Sequence, residues 1–390
     1  MLRDFSLQAL ATGILAAIVG FASSFPVVLQ GLTAVGASQR EAASGLMALS
    51  IAMGICAIVL SLRRKQPISI AWSTPGAALL ATTATVDGGF ATAVGAFLVC
   101  GALIVIAGLW KKLGDWVASI PAALANAMLA GVLLGLCLAP VKAVAQVPAL
   151  ALPVVLVWAV LIVVKRLYAV PVAVALTLAL IGFTTPADTL GKATLMPDPV
   201  LVLPHFSLAG VIGIALPLFI VTMASQNIPG IAVLNANGYR PEPGPLFRAT
   251  GLWSLASAPF GGHAVNLAAI TAALCAGPDA HPDPARRYWS AVVAGIAYVA
   301  LGLLASLATS FIAASPPILI QAVAGLALLG ALAGSMMGAV AAVNDREAAV
   351  VTFVVTASGI SFFGISGAFW GLLAGGLILA LIRWRDRAKT

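Results

Sequence analysis

Phe260-Gly261-Gly262-His263-Ala264-Val265-Asn266 opens an apolar run from Leu267 to Ala276 and sets two glycines, one histidine and one amide inside hydrophobic sequence. Taken at its longest, as a helix from His263 to Ala276, the stretch covers about 21 Å at ~1.5 Å per residue. That is short of the roughly 30 Å hydrocarbon core of a bilayer, so it cannot span alone. A short helix with a polar N-terminus at membrane depth has to be buried against protein or line a cavity, because lipid satisfies none of its free amide groups. The remainder of the chain reads as the scaffold of that cavity.

Composition sets the class. Hydrophobic residues make up 62% of the 390 and charged residues 8%, with a mean hydropathy of +1.10. This is a polytopic membrane protein, and no polar run is long enough to form a soluble domain. The net charge of +8 fits basic cytoplasmic loops and requires no nucleic acid. Cys56, Cys100, Cys137 and Cys275 are scattered through apolar runs without metal-ligand spacing and read as small core residues. Arg3 before an apolar run resembles a signal peptide, but hydrophobic sequence continues past Ser23-Ser24 to Leu32, as expected of a retained first helix.

Charge clusters divide the chain into fourteen segments of about one bilayer crossing each. The first runs from about Leu10 to Leu32 and the second ends at Arg63-Arg64-Lys65. The third is interrupted: a β-like run, Pro67 to Trp72, precedes Ser73-Thr74-Pro75-Gly76 and a short apolar helix to Val86. Segments 5 and 6 separate near Pro140 to Pro148. A Pro- and Asp-rich loop reaches Pro204, and segment 8, Leu208 to Leu234, begins a second half with the same plan. With the N-terminus inside, 17 of the 20 Lys and Arg fall on the cytoplasmic side, and only Arg40, Lys142 and Lys192 do not. Each half of seven then starts on the opposite side, as in an inverted-topology repeat.

The expected fold is all-α, a seven-plus-seven inverted repeat over 1–186 and 205–390, with segments 3 and 10 each a short strand plus half-helix. Ala22-Ser23-Ser24-Phe25-Pro26 aligns with Ala224-Ser225-Gln226-Asn227-Ile228-Pro229, and Ser73 to Gly76 with Gly262 to Val265. Paired interrupted segments are the sequence pointer to a transporter site.

Two half-helices starting near the midplane from opposite sides point their N-termini, each with free N–H groups and about half a positive charge, at one gap that favours an anion. Thr74 and Asn266 can add side-chain hydrogen bonds, and Pro75, Gly76, Gly261 and Gly262 belong to the two turns. Ser73 and Thr74 fit a helix cap equally. His263 is the one histidine of three in an apolar segment, suited to binding substrate or a proton, although a structural role is open. Gln226 and Asn227 place adjacent amides in segment 8 before a helix interruption at Pro229-Gly230. They serve a site or bond a neighbouring helix. Phe25, Trp72 and Phe260 flank the gap; Trp72 fits an interfacial anchor as well. All twelve acids fall in loops or at segment ends, which suits an anion better than a cation. No metal, cofactor or catalytic set is indicated. HExxH spacing, paired intramembrane aspartates and a Ser/His dyad are all missing, so an intramembrane enzyme has no candidate groups.

Ala224 to Tyr239, ASQNIPGIAVLNANGY, and Phe260 to Gly277, FGGHAVNLAAITAALCAG, closely resemble the benzoate membrane transporter family (BenE). The likeness covers nearly the whole chain. It implies a benzoate:proton symporter of the bacterial inner membrane, multi-pass with both termini cytoplasmic; a homodimer is compatible with it. More distantly the plan is similar to nucleobase and sulfate-type anion transporters. That likeness implies a core domain (about 1–112 and 205–312) moving as an elevator against a gate domain (about 113–204 and 313–390). Acidic residues of the nucleobase relatives are replaced here by Gln226 and His263, which favours a carboxylate over a nucleobase. The implied substrate site comprises Phe25, Thr74, Pro75, Gly76, Gln226, Asn227, Gly262, His263 and Asn266, with His263 the proton-coupling candidate. A different small anion, a nucleobase-like substrate and a passive anion channel remain as alternatives.

Overall fold

The computed structural model describes residues 5–83, 87–110, 121–184, 197–268, 270–306, 309, 316–362 and 365–387. Arg3, Lys111, Lys112, Lys192 and Lys389 of the charge pattern, and Asp4, Asp115 and Asp188, lie outside them. The first part comprises α1 (Leu7–Ala22), α2 (Phe25–Ala34), α3 (Gln39–Arg64), β1 (Ile70–Trp72), α4 (Thr74–Ala81) and α5 (Gly89–Leu109). Helices α6 (Ala122–Cys137), α7 (Ala139–Gln146), α8 (Pro148–Val164) and α9 (Arg166–Thr184) follow. After an extended segment come α10 (Leu208–Ala236), α11 (Pro243–Ser257), β2 (Val265–Leu267), α12 (Ile270–Ala276) and α13 (Tyr288–Leu303). The chain ends with α14 (Pro317–Val340), α15 (Arg346–Ala357), the two-residue strands β3 (Ser361–Phe362) and β4 (Ile365–Ser366), and α16 (Gly367–Arg387).

Among the described residues, seven helical stretches are long and apolar enough to cross a membrane, and α8 and part of α9 are shorter apolar helices. Local chemistry fixes many of their ends. Ser38 and Glu41 form a reciprocal capping box at the start of α3, which satisfies two otherwise free amides. Lys65 closes that helix in the left-handed conformation at φ 54°. Chain breaks inside the apolar runs have equally local causes. Between α1 and α2, Ser24 leaves the helical region at φ −141° and Pro26 starts the next helix, where its missing N–H costs nothing.

Two sets of helices pack mainly among themselves. In one, α3 lies on α13, α5 on α11, α1 on α13 and α2 on α4; in the other, α6 lies on α14 and α15, α15 on α16, and α8 on α9. The sets meet where α2 and α4 touch α14 and α6 and where α1 touches α9. Close approach in the first set depends on small residues: a Cβ at Gly54 of α3 would sit 2.5 Å from the Gly295 carbonyl of α13. In membranes, where no hydrophobic effect drives helices together, such backbone contact supplies dispersion energy. The extended segment before α10 is sewn to this set, with Val200 N–H donating to Ser44 Oγ at 2.9 Å and Val202 N–H to the Pro259 carbonyl at 2.8 Å.

Several expected boundaries shift. His263 to Ala268 is not helical; the helix starts only at Ile270. Residues 264–268 instead spend their backbone groups on an antiparallel ribbon with 69–73. By that pairing Trp72-Ser73 matches Leu267-Ala268 as the strand-to-helix junction, which displaces the alignment of Ser73 with Gly262. No interruption occurs at Pro229-Gly230. The helix widens into a π turn at Met223–Asn227 and runs on to Ala236, and the wider turn makes room for the proline ring against the preceding carbonyls. Segments 5 and 6 separate at Val147, between α7 and α8 and inside the expected Pro140 to Pro148, while Pro140 sits in the first turn of α7 and lets helix run on to Gln146.

Candidate functional site

Gly261 starts the site. Its φ of +92°, a conformation that glycine adopts without strain, turns the chain out of a 3-10 turn at Ala258–Phe260 and into the ribbon. Ile70 pairs with Leu267, Ala71 with Asn266 and Trp72 with Val265. Two more bonds extend the ladder, Ser73 N–H to Ala264 O and Ala268 N–H to Ser69 O, both 3.0 Å. Because the strands are antiparallel and each leads into a short helix, α4 leaves one end of the ribbon and α12 the other. The ribbon's outer edge is satisfied by side chains. Ser254 Oγ accepts from Val265 N–H at 2.8 Å and donates to the Val265 carbonyl at 3.2 Å, and Asn227 Oδ1 accepts from Leu267 N–H at 2.9 Å.

Ser73 caps α4: its Oγ accepts from Gly76 N–H at 3.1 Å and from the Thr222 hydroxyl at 2.8 Å, and its carbonyl accepts from Ala77 N–H at 2.7 Å. Pro75 has no N–H. The first turn therefore keeps little free donor capacity, and the cap reading of Ser73 is realised in the geometry. At the other half-helix, the far end is held instead. The Arg287 guanidinium donates to Ala276 O at 2.8 Å and to His281 O at 2.7 Å, meeting the negative end of α12 with a buried cation.

Between these elements lies a cavity of ≈ 60 Å³. Val19, Gly20, Ser23 and Ser24 of the α1–α2 break line it with Met53 of α3, and Ala71, Trp72 and Thr74 contribute from the first strand and half-helix. Gln226 of the π turn, Ala268 and Thr271 of the second unit, and Tyr298 of α13 complete the wall. A larger hollow of ≈ 250 Å³ lies between α3 and α11, but its one side-chain hydroxyl, that of Ser257, donates to the Ser254 carbonyl at 3.1 Å. It offers little chemistry.

Of the residues singled out in sequence, Thr74 and Gln226 reach the cavity, as does Trp72. Trp72 is 2% exposed, so it is no interfacial anchor. Its indole N–H donates to Ser24 Oγ at 2.8 Å and its ring meets Phe21 edge-on at 5.3 Å. Phe25 stacks behind, on Phe21. Asn227 is fully buried and spent on the strand. His263, also fully buried, donates from Nε2 to the Ser73 carbonyl at 3.0 Å, since a carbonyl can only accept. Its ring stands 6.3 Å from Phe97 and it is not among the cavity's lining residues. Asn266 Nδ2 donates to Leu267 O at 2.9 Å, and its Oδ1 is buried without a partner. Pro75, Gly76 and Gly262 are packed behind the wall.

Sequence reading passes over Tyr298 and Thr271. Thr271 Oγ1 shares a hydrogen bond with Ser69 Oγ at 2.8 Å. The Tyr298 hydroxyl stands within hydrogen-bonding reach of the Thr271 side chain and donates to Ala16 O at 3.4 Å, longer than a well-formed O–H···O bond. Both residues stand in plain apolar runs and come to the site through helix packing; a tyrosine in such a run is the one local signal. No group of His, Cys, Asp and Glu among the described residues fits a metal ion.

Comparison with known proteins agrees with this architecture. A protein-family model, BenE, described as benzoate membrane transport protein, matches residues 3–381. The chain is 42% identical over 397 aligned positions to inner membrane protein YdcO of Escherichia coli (strain K12), covering 99% of this chain and 100% of that one. It is 32% identical to the benzoate membrane transport protein of Acinetobacter baylyi (strain ATCC 33305 / BD413 / ADP1), covering 96% and 94%. Among solved structures, the transmembrane domain of the cyanobacterial bicarbonate transporter BicA superposes with a TM-score of 0.62 at 15% identity, over 98% of both chains. The murine anion transporter Slc26a9, in its inward-facing state, does so with a TM-score of 0.59 at 13% identity, over 99% of this chain and 69% of that one. The fold is that of these anion transporters, and the chain is a membrane transporter belonging to the BenE family of benzoate membrane transport proteins.

Proposed function

We propose that this transporter moves benzoate or a similar aromatic carboxylate, together with a proton, across a bacterial inner membrane. The observation that carries this reading is the make-up of the cavity: two aromatic residues, Trp72 and Tyr298, line it together with the amide-bearing Gln226 and the hydroxyl-bearing Thr74, and no acidic residue is among its lining residues. Rings give an aromatic substrate apolar surface, and the polar groups receive its carboxyl. Gln226 and Thr74 make direct contact in this reading. Asn227, His263, Asn266 and the Pro75-Gly76 and Gly262 backbones hold the ribbon and half-helices in place, and Phe25 backs Trp72.

The two helix sets correspond to a core that carries the site and a gate it moves against, close to the ranges expected from sequence except that the segment around Val200 and Val202 packs on the core. Their separate packing supports an elevator; fourteen segments in two inverted halves with both termini in the cytoplasm are part of the same proposal, carried by the charge pattern of the sequence. At ≈ 60 Å³ the cavity is smaller than the roughly 300–1,000 Å³ of typical small-molecule sites, so loading requires movement between the sets, α4 and α6 being one place where they touch.

Counterflow in proteoliposomes tests the reading. Vesicles preloaded with unlabelled benzoate should take up labelled benzoate faster than protein-free vesicles, without current. Uptake driven equally by nucleobases or sulfate would replace the substrate class, and a steady benzoate current would indicate an anion channel.

A further inference from the structure

We propose that the proton travels on the substrate: the cavity accepts the neutral, protonated carboxylic acid, whose COOH pairs head-to-head with the carboxamide of Gln226. This rests on the aromatic carboxylate reading above. Gln226 and Asn227 are adjacent amides with opposite uses. Asn227 is committed, through Oδ1 to Leu267 N–H and through Nδ2 to Met223 Sδ at 3.2 Å. Gln226 lines the cavity, and its carboxamide bonds to no described residue. A primary amide offers one acceptor oxygen and N–H donors. A protonated carboxyl offers the matching pair, an O–H and a carbonyl, so two hydrogen bonds close between them. A carboxylate can use only the N–H and sets its second oxygen against the amide oxygen, acceptor facing acceptor.

The rest of the wall is neutral. Ser24 Oγ donates to Gly20 O at 2.9 Å while accepting from Trp72, and Ser23 Oγ also donates to Gly20 O, at 3.3 Å. Both serine protons are thus committed to a backbone carbonyl. No Lys, Arg or His is among the lining residues, and an ion moved into such a place without a counter-charge is costly. Titratable side chains on the elements around Gln226 are His263, Tyr298, Cys56, Cys137 and Cys275, with Glu41, Arg63, Arg64 and Lys65 towards the ends of α3 and Arg287 and Tyr288 at the start of α13. Of these only Tyr298 reaches the cavity. His263 gives its Nε2 proton to Ser73, and no acceptor stands at Nδ1 for a second. The balance is simple. A carboxylate oxygen takes one proton from water on one side, the neutral acid crosses, and the proton returns to water on the other side. No protein bond is made or broken, and the coupling is one proton per acid.

Binding to the purified protein in nanodiscs tests this without the background of passive acid permeation. Three benzoates of similar shape and different acidity, the 4-nitro, unsubstituted and 4-methoxy acids, are titrated from pH 5.5 to 8. Carboxylic acids ionise near pH 4. The apparent Kd for total ligand should therefore rise about tenfold per pH unit throughout, and the three series should coincide when plotted against neutral acid. Gln226→Leu should weaken binding roughly 10- to 100-fold at each pH, and His263→Gln should keep the slope. A Kd independent of pH, a break at one pH common to all three acids, or loss of the slope in His263→Gln would overturn the proposal while leaving the substrate class standing. Binding of none of the acids at any pH would overturn both. If Gln226→Leu does not fold, the wild-type series decides alone.

Discussion

In the first strand–helix unit, β1–α4, the chain largely satisfies itself. Ser73 caps the start of α4, and Thr82 and Thr83 at its end return their hydroxyls to Leu79 O at 2.9 and 2.8 Å. In the second unit, β2–α12, partners come from other helices: Asn227 of α10 and Ser254 of α11 on the strand, then Ser290 of α13 on Cys275 O and Arg287 on Ala276 O. The two units occupy matching places on the ribbon, and both receive tertiary contacts, yet the helix ends of the first are satisfied by its own residues and those of the second by other helices. Damage to the second should therefore spread to the helices that hold it, and damage to the first should stay near the cap.

Arg287→Ala separates the two units most widely. The guanidinium is buried, and it bonds Ala276 O, His281 O and, at 3.4 Å, Pro282 O. Removing it leaves the buried Ala276 carbonyl at the negative end of α12 without its donor and frees the part-buried carbonyls of His281 and Pro282, a loss of about 3 kcal/mol. The expected result is the largest drop in thermal unfolding temperature of the substitutions proposed for the two units, with Arg287→Lys recovering part of it. An unfolding temperature equal to wild type would mean that α12 is held by its packing alone.

Next in size is the division of labour between adjacent amides. Asn227→Leu keeps the branched shape but strips the acceptor from Leu267 N–H, which should cost about 2 kcal/mol as a buried donor goes unpaired. Gln226→Leu should leave the stability within about 0.5 kcal/mol of wild type while weakening ligand binding. Equal effects of both changes on stability would dissolve the distinction between a strand-holding and a cavity-facing amide.

The contrast also explains what the sequence discloses. Apolar runs, the Ser73-Thr74-Pro75-Gly76 cap and the Gly261-Gly262 turn are local signals, and they locate both interrupted segments. Gln226 and Thr74 could be picked out because polar side chains in apolar runs are rare. The direction in which each polar group points was not legible. Gln226 and Asn227 are neighbours in sequence, and which one faces the strand is set by the π turn at Met223–Asn227, which no residue pattern announces. His263 looks like a ligand for the same reason it is conspicuous, yet ribbon pairing turns it onto the Ser73 carbonyl. Tyr298 and Arg287 reach their partners by helix packing across long stretches of sequence, a link that local periodicity does not encode.

Ser73→Ala is the smallest and sharpest of these tests. The substitution removes the acceptor of Gly76 N–H and of the Thr222 hydroxyl. It spares the backbone carbonyl that serves both Ala77 and His263. Thr222 can turn back to a carbonyl of its own helix, so the net loss is that of an N-cap, about 1 kcal/mol. Ser73→Gly should behave like the alanine variant or slightly better, because backbone freedom at a cap is tolerated. If the first unit is locally held, the fall in unfolding temperature should be about a third of that for Arg287→Ala, and His263 should keep its hydrogen bond. A fall as large as the arginine variant's would show that the cap also carries the ribbon through His263, and that the two units are one cooperative element.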